Sequence, residues 1–144
     1  MAQYLKDAIR DRIIDAAAIQ FANRGYADAT VKDIAAGAGI STGNVYRYFP
    51  TKQALFEAVL PSCFRTEFLE LLDRRFLALQ GQPDIRGLPA ESPYFLWSEK
   101  LLSFCITNRH RIIILLSRTE GTPLDSFAAR MKDMMAKAAL AHAG

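Results

Sequence analysis

Cysteine and histidine are scarce in this sequence, two of each in 144 residues. Cys63 and Cys105 match no zinc-ligand spacing and are too few for a disulfide framework, so they are expected to be packing thiols. His110 and His142 lie far apart without an i,i+4 partner, so no metal site is expected and no cofactor is implied. Long apolar runs are missing as well. The longest aliphatic stretch, Ile112 to Leu116, falls far short of the roughly 20 residues that cross a bilayer, so no membrane partner is expected. The chain opens without a basic-then-apolar leader, which points to a cytoplasmic protein. Its eight Gly and six Pro follow no period, which excludes collagen-like and repeat architectures. Paired carboxylates, a nucleophile with its base and a glycine-rich phosphate loop are all lacking, so the sequence reads as a non-enzyme.

What is present is globular material, 51% apolar and 23% charged, in a chain long enough to bury a core without disulfides or metal. The net charge is +3, but residues 1–60 hold seven Lys/Arg against six Asp/Glu. An anionic partner there would have to be met by placement of charge rather than by its amount.

Apolar periodicity is helical throughout. Ile9, Ile13, Ala16, Ala17 and Phe21 predict a helix from about Lys6 to Arg24, with Gly25 as its stop. Thr30 followed by Asp33 predicts a capped short helix carrying Val31, Ile34 and Ala35, broken by the turn Gly37–Ile40. Ser41 caps a second short helix, Thr42 to Tyr48, which Pro50 ends, and Thr51 caps the next. Pro61 cannot donate to the Glu57 carbonyl, so this helix is expected to kink there or to become two in series. Gly81 to Ser92, including Pro83, is the one real loop. Ser92-Pro93 starts a further helix, Arg109–Ser117 forms a short one, and Thr122 opens a last one with the stripe Leu124, Phe127, Ala128, Met131, Met134, Met135 and Ala138. Arg109, His110 and Arg111 sit at a helix start, where the dipole does not favour them; a contact with the N-terminal part, an anionic ligand or a solvated turn would each account for them.

Two short helices joined by a Gly-containing turn and leaning on a longer first helix form a helix-turn-helix. In such a unit the second helix enters the major groove. Thr42 and Asn44 are suited to base edges, Asn pairing bidentately with adenine. Tyr46 and Tyr48 offer hydroxyls to phosphates, and Arg47 and Lys52 add positive charge. Gly43 costs its helix about 1 kcal/mol relative to alanine, which close approach to DNA would explain. The buried set of this head is predicted as Ile13, Ala17, Phe21, Ile34, Ile40, Val45, Phe49 and Leu55.

Residues 12–56 resemble the DNA-binding head of the tetracycline-repressor (TetR) family. The resemblance is carried by Ile13-Ile14-Asp15-Ala16-Ala17, Phe21, Gly25-Tyr26, Thr30, Ile34-Ala35, Ala38-Gly39-Ile40-Ser41, Gly43-Asn44-Val45-Tyr46, Tyr48-Phe49, Lys52 and Leu55. It implies an all-α fold: a three-helix head over 1–50 and a helical ligand-binding and dimerisation body over 51–144, short at its C-terminus. It further implies a bacterial repressor that binds an inverted-repeat operator in double-stranded DNA as a homodimer and is released by a small apolar inducer. Carried over by position, the DNA contacts are Thr30, Val31, Lys32, Thr42, Gly43, Asn44, Tyr46, Arg47, Tyr48 and Lys52. Inducer contacts are expected among Phe64, Phe68, Tyr94, Trp97, Leu101, Phe104 and Cys105, since such cavities are mostly apolar. The alternatives are a small helical ligand-binding protein or a truncated dimer partner without operator binding of its own.

Overall fold

The computed structural model describes residues 2–82 and 84–143, without the side chains of His142 and Ala143. Pro83 and the His142 side chain therefore lie outside the described residues. Every regular element among these residues is helical: α1 (Ala2–Asp28), α2 (Val31–Ala38), α3 (Thr42–Tyr48), α4 (Lys52–Val59), α5 (Ser62–Leu77), a 3-10 turn (Ile85–Gly87), α6 (Pro93–Thr107), α7 (Arg109–Ser117) and α8 (Phe127–Ala143). They form two compact units, Met1–Pro61 with His110–Phe127, and Ser62–Arg109 with Ala128–Gly144.

In the first unit, the α1 backbone leaves helical geometry at Gly25 (φ 80°), where the sequence predicts a stop, and one further turn carries the chain to Asp28. The Thr30 Oγ1 accepts from Asp33 N at 3.1 Å and starts α2. That helix runs on through Gly37 to Ala38 instead of ending at Gly37 as expected. Its stop is Gly39, left-handed at φ 72°, where Gly39 N donates to Ala36 O and Ile40 N to Ala35 O. This paired closure requires a residue at C′ without a Cβ penalty. Ser41 Oγ accepts from Asn44 N at 3.2 Å and Thr51 Oγ1 from Ala54 N at 3.0 Å, so the predicted caps open α3 and α4.

Ile13, Ala17, Phe21, Ile34, Val45, Leu55 and Phe49 are buried as expected, whereas Ile40 is only half-buried. Phe21 and Phe56 meet edge-on at 5.3 Å, and Tyr26 joins them at 5.2 Å from Phe56. Ile114 and Leu115 of α7 are fully buried in the same unit. Arg111 Nε donates to Val59 O at 3.0 Å, the last residue of α4. The basic group at the start of α7 thus includes a side chain that satisfies the helix-terminal carbonyl of α4 in the same unit.

At Pro61 the chain forms two helices in series, α4 ending at Val59 and α5 beginning at Ser62. In the second unit α5 packs on α6, burying Phe64, Phe68, Leu72 and Tyr94. The last helix starts later than expected. Thr122 Oγ1 donates to Thr119 O at 2.6 Å and accepts from Leu124 N at 3.2 Å, closing a turn, and α8 begins at Phe127. Of the predicted stripe, Phe127 and Met131 are buried while Met134 and Met135 are exposed.

Candidate functional site

The head displays α3. Val45 is 1% exposed and is the helix's buried anchor, while Tyr46 stands 47% exposed. Gly43, Asn44 and Arg47 are exposed, and Thr42 and Tyr48 are half-buried. Anchoring through one residue leaves most of the helix surface free for a partner. The helix carries no acid. The single acid of α2, Asp33, is paired with Arg24 at 3.4 Å, so its negative charge is partly neutralised. Lys32 is exposed, Val31 half-buried, and the exposed Thr30 hydroxyl can still donate while its oxygen caps α2.

Lys52 is more constrained than its sequence position suggests. Its Nζ donates to Ala27 O at 3.2 Å and lies 4.6 Å from the centroid of the Tyr26 ring. The ammonium therefore ties the first turn of α4 to the end of α1, with two of its three N–H donors left. Arg12, which sequence reasoning did not single out, donates from Nη2 to Ala38 O and holds the end of α2. Arg10 lies over the Phe49 ring at 5.2 Å, at the end of α3. Residues 12 and 38 are brought together by helix packing alone, so no local sequence signal marks the pair.

In the second unit a groove of about 400 Å³ lies between α5 and α6, lined by Cys63, Phe64, Glu67, Ser103, Phe104, Thr107 and Asn108. Of the predicted inducer contacts, Phe64 and Phe104 line it, their rings stacked at 5.2 Å. Phe68 stacks on Phe104 at 6.0 Å outside the lining. Tyr94 is engaged elsewhere: Arg75 Nη2 donates to its hydroxyl at 2.8 Å and Arg75 Nε to Ser98 Oγ at 3.0 Å. Trp97 is flanked by Arg74 at 4.9 Å and Lys100 at 4.6 Å. Leu101 and Cys105 are half-buried and do not line the groove, and burial pushes the Cys105 thiol above its ordinary range. The polar lining was missed, although Glu67, Thr107 and Asn108 stand three or four residues from Phe64 and Phe104, the spacing that shares a helix face.

Among the described residues, no group of three or more His, Cys, Asp and Glu side chains could hold a metal ion. No helix among them is long and apolar enough to cross a membrane.

Comparison with known proteins agrees with this geometry. Residues 13–59 match the family described as "Bacterial regulatory proteins, tetR family". The HTH-type transcriptional repressor KstR2 of Mycolicibacterium smegmatis is 40% identical over 67 residues, 46% of this chain and 30% of that protein. The biofilm operon icaADBC HTH-type negative transcriptional regulator IcaR of Staphylococcus aureus (strain Newman) is 34% identical over 56 residues, 39% of this chain and 30% of that protein. These matches thus span under a third of each relative's length. A crystal structure of a TetR-family transcriptional regulator from Bordetella parapertussis 12822 superposes with a TM-score of 0.59 at 26% identity, covering 92% of this chain and 67% of that one. Residues 13–59 thus form a helix-turn-helix head of the tetR-family type, and the helical chain around them is similar in fold to a TetR-family transcriptional regulator.

Proposed function

We propose that this protein is a transcriptional repressor whose α3 reads the major groove of an inverted-repeat operator. The observation that carries this reading is the display of Gly43, Asn44, Tyr46 and Arg47 on an acid-free helix held by one buried residue, Val45. Asn44 is the base-reading residue, and Thr42 shares that role. Tyr46, Tyr48, Arg47, Lys32 and Thr30 address the backbone, Val31 packs beside the sugar-phosphate chain, and Lys52 contributes through its free donors. The relatives named as a repressor and a negative regulator support repression.

The protein acts as a homodimer, because two recognition helices must meet major grooves about 34–36 Å apart. Exposed apolar side chains in the second unit, Leu96, Leu102 and Ile106 on α6 and Met134, Met135 and Leu140 on α8, support an interface there. Functionally, residues 1–50 bind DNA, with Lys52 just beyond them, and the remainder of residues 51–144 senses a small ligand and pairs the protomers. Ligand binding in the body shifts the recognition helices through α4 and the break at Pro61. A coupling of about 1–3 kcal/mol lowers operator affinity roughly 5–150-fold.

Selection of duplexes from a random pool at about 0.15 M salt tests the reading, since phosphate contacts make affinity strongly salt-dependent. An enriched inverted repeat is the expected outcome. Asn44→Ala is expected to cost about 1–3 kcal/mol and to relax preference at one base pair of each half-site. Unchanged affinity and preference in Asn44→Ala and Tyr46→Phe, or no enriched sequence at all, would remove DNA recognition from α3.

A further inference from the structure

The geometry points to the groove between α5 and α6 as a site for an organic monocation that carries a flat apolar ring. The inference rests on the proposed ligand-responsive function and narrows the ligand from an apolar molecule to a cationic amphiphile.

One wall is apolar, formed by Phe64 and Phe104. Apart from the Cys63 thiol the rest is polar, and each of its side chains carries an oxygen that can accept a hydrogen bond. Glu67 is the one charged side chain among the described lining residues, and it forms no ion pair or hydrogen bond with another described residue. Ser103 and Thr107 add hydroxyls. The Asn108 amide nitrogen gives one of its two N–H donors to Phe104 O at 3.0 Å, and its carbonyl oxygen is left to accept. A carboxylate among groups that can accept, with no Lys, Arg or His among the described lining residues, disfavours an anion and leaves a neutral ring without a partner for the charge. An ammonium group reverses both terms, because a charge-assisted N–H donor is roughly twice as strong as a neutral one. At about 400 Å³ the groove falls within the range of small-molecule sites. One ring with a short arm spans from the Phe wall to Glu67.

Three probes of matched shape separate charge from shape: 2-phenylethylammonium, 2-phenylethanol and 3-phenylpropionate, titrated into the isotope-labelled full chain with amide shifts as the readout. Glu67 is exposed, so the ammonium is expected to bind up to about fivefold more tightly than the alcohol and the carboxylate least, with shifts at residues 63–67 and 103–108. Glu67→Gln is expected to bring the ammonium down to the level of the alcohol. Ser103→Leu, at an exposed position, is expected to fill the groove and weaken both. Cys63 is exposed on the groove lining, so the ammonium should slow its alkylation in the parent chain and not in Glu67→Gln. Equal affinity for the three probes, an undiminished ammonium affinity in Glu67→Gln, or shifts confined to other residues would overturn the assignment. Ammonium binding that leaves operator affinity unchanged keeps the site and removes its regulatory role. Release from DNA by a compound that shifts no groove residue keeps ligand-responsive regulation and overturns the groove as its seat.

Discussion

A methyl group added at Gly43 would meet nothing nearer than Ser41 Oγ at 4.0 Å, so packing within the chain does not require glycine there. Helix propensity argues against it, by up to about 1 kcal/mol relative to alanine. Gly43→Ala is therefore expected to raise stability by up to about 1 kcal/mol in urea denaturation. On the proposed reading it weakens operator affinity by about tenfold in fluorescence anisotropy, because the Cβ stands where the DNA backbone approaches. A more stable variant with unchanged affinity would take close approach out of the account of this residue. The two thiols differ at the same scale. Cys63 is exposed, while burial lifts the Cys105 thiol above its ordinary value. At a given pH Cys105 holds less thiolate than an ordinary thiol, and the thiolate is the nucleophile. Iodoacetamide at about pH 8 is expected to modify Cys63 first, as read by peptide mass spectrometry. The Cys105 rate should keep climbing with pH beyond the point where an ordinary thiol levels off.

Arg111 shows what a helix contributes beyond its own hydrogen bonds. Pro61 has no N–H for the Glu57 carbonyl, α4 ends at Val59, and Arg111 of α7 donates to the Val59 carbonyl from 52 residues away. Ile114 and Leu115 complete the tie at 0% exposure. Arg111→Ala is expected to cost about 1–3 kcal/mol through the carbonyl it leaves without its donor. Ile114→Ala is expected to cost about 2–5 kcal/mol. Both are measured by urea denaturation, and losses near zero would mean that α7 is not part of the folding unit of the head. The same comparison explains what the sequence made legible. Thr30, Ser41, Thr51 and Ser92 act through hydrogen bonds to amides two or three residues away, so local reading finds them. Thr122 also accepts from an amide two residues on, but its hydroxyl donates back to Thr119 O and closes a turn instead, and the helix it was expected to open begins five residues later. The displayed face of α3 was legible because a seven-residue helix with one buried position leaves little choice. The ties Arg12–Ala38, Lys52–Ala27 and Arg111–Val59 were not legible, since each depends on how separate helices cross. The groove was half legible: aromatic spacing marked Phe64 and Phe104, but the pairing of α5 with α6 selects which of seven candidate side chains share one cavity.

For the whole molecule, a net charge of +3 is too small to hold DNA by bulk attraction, so the salt dependence of binding must come from a few placed cations. Each neutralised phosphate contributes about 0.9 to the magnitude of the slope of log affinity against log salt. Lys32 is suited to counting them. It is exposed, it stands in the first turn of α2, and it forms none of the ion pairs among the described residues. Lys52, by contrast, already serves Ala27 O, and its removal would mix folding with binding. A homodimer seated on an inverted repeat places Lys32 twice, so Lys32→Ala is expected to reduce the slope by about 1.8. One engaged head reduces it by about 0.9. No change would remove Lys32 from the phosphate contacts. Sequence preference should stay unchanged in each case, because a phosphate contact carries no base information. A drop by the larger value, together with Asn44→Ala altering preference at symmetry-related positions, would establish that both heads engage the duplex at once.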